Sequence, residues 1–443
     1  MGEYITKIIG KLKLLLAVIV PSMMVIGAAS AMDVPNIKVE KVMSGLENPW
    51  DMSFLPDGSM LYTEKCKGLS VRTKGGDVHA IYGVGNSSGY NSKGDDLFCE
   101  AQAGMLGVVA DPKFKKNRTI YVYSASKKYM GDGCKKDNYA SCHGNIVMKF
   151  KLAKDMKSVS GRTDIVKDIE YKPFKSDQPF GDPGAHNGGR MRFGPDGFLY
   201  VGGGDRHWGP GPQSGKHLAG KVLRIDGNGK AAKGNKPPRG FDKRVYTYGH
   251  RNVQGIDFRP SDGRPFTAEH GPWHNDEITG LVNGGNAGWD PHEKRGGRSA
   301  CPDKYCGYEP NQKEGMDPAV RAAYTPMSDT RFKDLMTPAW NNNGFSQGTG
   351  SAAFLKGKNW GIYEGRLAAG IMGIGFGDTP TGLRIDMYDI TDDATSIRSV
   401  VRMPMGPVDK MSKRYRGLVM GPGNALYACT DEGEVWKITA SLK

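Results

Sequence analysis

The stretch "GAHNGGRMRFGPDGFLYVGGGD", residues 184–205, sets a histidine in a glycine loop, then a short apolar strand, a Pro-Asp-Gly turn, and an aromatic strand that ends in more glycine. Apolar and aromatic residues on both sides of such a turn read as a β-hairpin. The same grammar recurs in "FLPDGSMLYTE" (54–64), "VADPKFKKNRTIYVYSA" (109–125), "FRPSDGRPFTAEHG" (258–271) and "MGPGNALYACTDEG" (420–433). The turn prolines Pro56, Pro112, Pro195, Pro260 and Pro422 lie 56, 83, 65 and 162 residues apart, and the last gap has room for a degenerate copy at "AAFLKGKNWGIYEGRLAAG" (352–370). Six strand-rich units without strong helical periodicity predict an all-β chain, a six-bladed β-propeller rather than a sandwich or an α/β fold. Glycine, 63 of 443 residues, is at about twice the usual ~7% share, as many tight turns require. The end "GEVWKI" and the start "IKVEKVMSGLENPWDMSFL" both have strand character, so one blade could be closed by strands from both chain ends.

The opening "KIIGKLKLLLAVIVPSMMVIGAASA" (7–31) has lysines, an apolar run and small residues at 29–31, the layout of a secretory signal cut after Ala31. The alternative is an uncleaved anchor, because the run approaches the roughly 17 residues that span a bilayer. Residues 32–443 are then expected to form one catalytic propeller domain with no stable membrane insertion, exported in soluble form to the periplasm.

The formal charge of +14, from 61 Lys and Arg against 47 Asp and Glu, is scattered, with "KFKK" (113–116) its densest group, and no nucleic-acid motif accompanies it. It favours an anionic small molecule or an acidic redox partner over nucleic acid. Seven cysteines, at 66, 99, 134, 142, 301, 306 and 429, suit an oxidising compartment. The short spacings suggest Cys134–Cys142 and Cys301–Cys306 bridges, and the odd count leaves a thiol over. Covalent haem is disfavoured because Tyr139 stands where C-x-x-C-H needs its first cysteine.

His186 lies in the loop entering the first strand of its hairpin. Loops of the same kind precede the second and fourth hairpins, and carry Gln102 in one and Arg251 and Asn252 in the other. Converging on one face of a propeller, they would bring these four residues to a single ligand; each taken alone also reads as an ordinary turn or surface residue. The loop "EHGPWHNDEITGLVNGGNAGWD" is oxygen-rich and could wrap a hard cation, with Glu277 as a ligand, although it is no EF-hand. Arg414 and Arg416, two apart on a strand, face the same side and could clamp a carboxylate, or simply be solvated. The chain has no G-x-S-x-G elbow, no H-E-x-x-H and no Walker loop, and "IDGNGKAA" has Ala232 where a dinucleotide fingerprint needs its third glycine.

From about residue 40 onward the ordered motifs "GLENPWDMSFLPDG", "AQAGMLGVVADPKF", "HNGGRMRFGPDGFLYVGGGD", "GKVLRIDGNG", "YGHRNVQGIDFRP", "EHGPWHNDEI", "GGNAGW" and "RYRGLVMGPGNALYACTDE" resemble the soluble glucose and aldose sugar dehydrogenases that use pyrroloquinoline quinone (PQQ). The resemblance implies that His186 is the general base and that Arg251 polarises the quinone carbonyl. It implies that Asn252 and Gln102 hydrogen-bond the cofactor, and that Arg414 and Arg416 pair with its carboxylates. It further implies calcium on the carbonyls of Gly271, Pro272 and Ala287 and on Glu277. Three departures stand out. The stretch "LAAGIMGIGFG" (367–377) lacks the lysine with which the family contacts its cofactor, Ala185 replaces an acidic residue before the histidine, and Trp273 and His274 crowd the metal loop. The expected substrate is an aldose or a related alcohol, and the expected acceptor is soluble and acidic. The other readings are a calcium-dependent lactone hydrolase, in which His186 activates water, and a non-catalytic sugar- or protein-binding propeller.

Overall fold

The computed structural model describes residues 33–135, 142–172, 183–291, 325–373 and 382–442, with a few positions between 317 and 323. Six antiparallel sheets follow one another along the chain. Blade 1 comprises strands 49–54, 60–64, 68–72 and 78–84, with a short parallel addition at 93–94; blade 2 comprises 105–110, 119–125, 143–152 and 159–170. Blade 3 uses 191–193, 199–202, 221–225 and 245–248; blade 4 uses 253–258, 265–269, 277–280 and 340–341. Blade 5 uses 349–354, 367–371, 384–390 and 397–402. Blade 6 joins 415–420, 426–430 and 434–441 to the N-terminal strand 36–43, so both chain ends close the ring. First strands pack against first strands around the axis, as a six-bladed propeller requires.

Each repeated phrase is the inner hairpin of a blade. In "FLPDGS" the Leu55 N–H bonds the Ser59 carbonyl at 2.8 Å, and in "FGPDGF" the Gly194 N–H bonds the Phe198 carbonyl at 2.9 Å. Gly58 (φ 91°) and Gly197 (φ 79°) take the left-handed position that closes both turns. The degenerate copy is blade 5, where a 3-10 segment, Lys358–Tyr363, replaces the turn.

The core lies between blades rather than within one. Along blade 2, Val108, Val122, Ile146 and Met148 pack against blade 1, while the alternate residues Val109, Tyr121, Tyr123 and Val147 pack against blade 3. Period-two alternation with both faces apolar is what a strand buried on both sides needs.

At the axis, Asp51 is buried between Arg190 (2.5 Å) and Arg192 (two contacts of 2.9 Å) and accepts the Val108 N–H at 3.1 Å. Arg190 also reaches the carbonyls of Gln254 (2.9 Å) and Arg416 (3.1 Å), and Arg192 that of Leu418 (3.3 Å). One buried cluster thus ties blades 1, 2, 3, 4 and 6 together.

Cys134–Cys142 forms as expected, and a second bridge, Cys66–Cys99, joins residues 33 apart; Cys429 is a buried free thiol. Cys301, Cys306 and the leader segment 1–31 lie outside the described residues. No described helix is long and apolar enough to cross a membrane, and the two bridges fit an exported protein.

Candidate active site

An antiparallel blade brings the loop before its first strand and the loop after its second to the same end. At that end a cavity of about 540 Å³ is lined by the predicted Gln102, His186, Arg251, Asn252, Gly271, Arg414 and Arg416. The loops before the first strands of blades 2, 3 and 4 therefore do converge. The other kind of loop adds Trp273, which the sequence placed beside the metal loop, and residues the sequence did not single out: Lys65 after the second strand of blade 1, His207 in blade 3, His270 in blade 4, and Asp431 in blade 6.

His186 sits at φ 54° with its Nδ1 at 2.6 Å from Asp205 Oδ1, and its backbone N–H is bonded to Gln102 Oε1 at 3.2 Å. Gly204 has to be glycine, because a Cβ there would lie 1.9 Å from the His186 carbonyl oxygen. Asp205 also accepts the indole N–H of Trp289 at 2.6 Å and the His207 backbone N–H at 2.9 Å. Burial raises Asp205 to about 6, against the opposing pull of His207 and Arg251. Burial, then Arg251, His270 and Lys172, hold His186 well below its ordinary value. At neutral pH the aspartate is therefore ionised and the imidazole neutral. A carboxylate on Nδ1 keeps that proton in place, so the opposite nitrogen is the basic one.

Arg251 donates to the His270 carbonyl at 2.9 Å, and burial lowers it to about 10, so it remains a cation. Asn252 accepts the Gly188 N–H at 3.3 Å and the Gln254 side-chain N–H at 3.1 Å. Arg414 and Arg416 share Asp431, at 3.0 Å from Arg414 and twice at 2.7 Å from Arg416; Arg414 also caps the carbonyls of Met372 (2.8 Å) and Gly373 (2.9 Å). Two guanidiniums on one carboxylate leave one net positive charge. Lys65 Nζ donates to the Ala101 carbonyl. It places an ammonium on the cavity wall from blade 1, whereas the described part of the lysine-free stretch, 367–373, belongs to blade 5. Three buried atoms on that wall, Asn187 Nδ2, Arg251 Nε and His270 Nδ1, have no hydrogen-bond partner among the described residues. Buried polar atoms left unpaired are costly, and a bound ligand is one way to satisfy them.

Of the proposed metal ligands, Gly271 alone lines the cavity. The Pro272 carbonyl accepts His274 Nδ1–H at 2.9 Å. Ala287 lies outside the cavity wall with its N–H on the Tyr248 carbonyl at 2.8 Å. Glu277 is buried, with Ser328 Oγ at 2.7 and 2.8 Å from its two oxygens. Burial, aided by Glu269 and Asp276, raises Glu277 to about 8. Among the described residues no three carboxylate, imidazole or thiol side chains gather in a metal-binding group.

Known proteins share this architecture. The structure resembles the apo aldose sugar dehydrogenase of Escherichia coli (TM-score 0.66, 23% identity, 91% of this chain and 99% of that one). It also resembles the PQQ-bound form of an aldose sugar dehydrogenase from Streptomyces coelicolor (TM-score 0.64, 20% identity, 92% and 98%). In sequence the chain is 28% identical to aldose sugar dehydrogenase YliI of E. coli over 57% of this chain and 62% of that one. It is 27% identical to quinoprotein glucose dehydrogenase B of Acinetobacter calcoaceticus over 57% and 52%. These matches span little more than half of each relative's length. The family model described as glucose / sorbosone dehydrogenase matches residues 46–437, and the chain belongs to that family.

Proposed function

We propose that the protein is a periplasmic, PQQ-dependent dehydrogenase that oxidises the anomeric carbon of aldoses, or a related alcohol, and passes the electrons to a soluble acceptor. The observation that carries this reading is the His186–Asp205 pair beside Arg251, with the Arg414–Arg416–Asp431 cluster supplied from the opposite blade of the ring. The names of the E. coli and Acinetobacter relatives support it.

The cavity fits a planar, multiply anionic cofactor. Lys65, Arg251, Arg414 and Arg416 supply cations, and the unpaired Asn187 and Arg251 nitrogens supply donors. PQQ, when bound, supplies the electrophilic carbonyl that takes up hydride. His186 accepts the hydroxyl proton at Nε2, and Asp205 stabilises the imidazolium that results. Arg251 stabilises negative charge that develops beside it, and burial strengthens that effect. Calcium is assigned to the Gly271–Pro272 turn, where Asp276 accepts the Gly271 N–H at 2.9 Å; a hard cation there would favour the charged form of Glu277, whose carboxyl is held up chiefly by burial.

The test is calorimetric titration of PQQ, with calcium present, into protein lacking residues 1–31, followed by dye reduction with a panel of aldoses. Binding that weakens in Arg414→Ala, with oxidation that vanishes in His186→Ala, is expected. No binding by the intact protein would sink the quinone reading and turn the question to lactone hydrolysis; binding without turnover would leave a sugar-binding propeller.

A further inference from the structure

The nitrogen that His186 offers to substrate is already in contact with a second imidazole. His207 Nε2 lies 2.8 Å from His186 Nε2, with the rings nearly perpendicular (88°) and their centroids 3.8 Å apart. Both side chains are buried, and both line the cavity. A nitrogen–nitrogen contact of that length holds one proton. The Asp205 carboxylate accepts the hydrogen bond from His186 Nδ1–H, so Nε2 of neutral His186 can only accept, and His207 must be the donor.

The backbone is shaped to present it this way. Arg206 (φ 48°) and His207 (φ 56°) are consecutive non-glycine residues in the left-handed region, which side-chain-bearing residues rarely adopt. The His207 N–H returns to Asp205 Oδ1, the same oxygen that receives the His186 proton. One carboxylate oxygen thereby holds the His186 ring and the His207 backbone side by side. Strain held in place by hydrogen bonds at a cavity wall is a frequent mark of a working part.

We propose that His207 is a positioning residue that caps the base. Its Nε2–H occupies the His186 lone pair until a substrate hydroxyl displaces it, and it then donates to a second oxygen of that substrate. No covalent bond changes in the exchange: one hydrogen bond to His186 is replaced by another, and the freed N–H finds a new acceptor. A cyclic hemiacetal meets both demands, since its anomeric carbon carries a hydroxyl and a ring oxygen side by side. A simple alcohol offers only the first. The inference rests on His186 being the base, and deepens that reading by naming the residue that favours sugars.

Long-range proton–nitrogen correlation on histidine-labelled, ligand-free protein at neutral pH tests the cap without substrate or cofactor. The expected spectrum has His186 protonated at Nδ1 and His207 at Nε2, with the His186 Nε2 resonance moving in His207→Ala and returning toward its place in His207→Gln, which keeps an N–H donor. His207 protonated at Nδ1 would overturn the proposal from the wild-type spectrum alone, whether or not either variant folds. In the loaded enzyme, His207→Ala should lower the kcat/KM ratio of an aldose over a simple primary alcohol by about fivefold, the value of one neutral hydrogen bond. An unchanged ratio would overturn the substrate half of the proposal. The expected spectrum in a protein that oxidises no sugar would instead refute the dehydrogenase reading and leave the cap standing as a feature of the free protein.

Discussion

Asp51 on the propeller axis and Asp205 at the cavity are both buried, at 1% and 0% exposure, yet they hold protons in opposite ways. Burial pushes both carboxyls up. At Asp51 the guanidiniums of Arg190 and Arg192 outweigh it and the group ends below the ordinary aspartate value. At Asp205 an imidazole, an indole and a backbone amide hydrogen-bond the carboxylate, burial outweighs the opposing pull of His207 and Arg251, and the group ends at about 6. The loss of water sets the size of the effect, and the charge of the partners sets its sign. A permanent ion pair is suited to holding blades together, and an adjustable carboxylate to supporting a base.

The sharpest way to break this contrast is to remove each aspartate in turn. Asp51→Ala should strand two buried guanidiniums and cost about 3–5 kcal/mol in urea unfolding. A loss below about 1 kcal/mol would mean that the axial cluster does not hold the ring. Asp205→Asn should leave the unfolding midpoint near that of the native protein while kcat for an aldose falls by about 10²-fold or more, the usual contribution of a positioned acid or base. Equal damage to stability and turnover would erase the distinction between the two sites.

Two smaller effects sharpen it. Arg416→Ala should weaken PQQ binding about 10- to 100-fold, the range for a charge-assisted hydrogen bond, with Asp431 still paired to Arg414. The last concerns pH. Between about 4, the unfolded aspartate value, and about 6, the folded protein holds a proton on Asp205 that the unfolded chain has lost. Stability therefore falls as pH rises through that window, by at most about 1.4 kcal/mol per unit for this group. Glu277, held at about 8, adds a fall of the same sign up to that pH. Asp51 acts oppositely: its contribution is present above about 4 and is lost as pH falls through its depressed value. Calorimetric melting of Asp205→Asn from pH 4 to 6 should show a shallower fall than the native protein.

How much of this could be read beforehand depended on how local the cause was. The hairpins were readable because a Pro-Asp-Gly turn specifies itself within a few residues. Blade 5 was nearly hidden because Lys358–Tyr363 replaces that turn with a 3-10 segment. His186, Arg251 and Asn252 announced themselves as polar residues in glycine loops. Asp205 stood in the same quoted stretch, but its role depends on a strand returning 19 residues later to reach His186 Nδ1. Lys65 was missed because a lysine was sought in blade 5, and which blades face one cavity wall is a property of the closed ring rather than of sequence order. His207 and Trp273 (φ 56° and 67°) occupy left-handed positions that nothing in their residue type foretells. The Cys66–Cys99 bridge closes a span of 33 residues, too long to stand out beside the 8 of Cys134–Cys142.

The seam in blade 6 also gives the ring a direction of mechanical weakness. Asn36 pairs with Ser441 and Met43 with Val435, so the strands that bear the two chain ends run antiparallel, with both ends emerging at the same edge of the pair. A pull on those two ends loads the bonds one after another, as in opening a zip, instead of shearing them together. Force applied there should peel strand 36–43 from blade 6 before any other blade is disturbed, leaving a sheet edge exposed to capture by another strand.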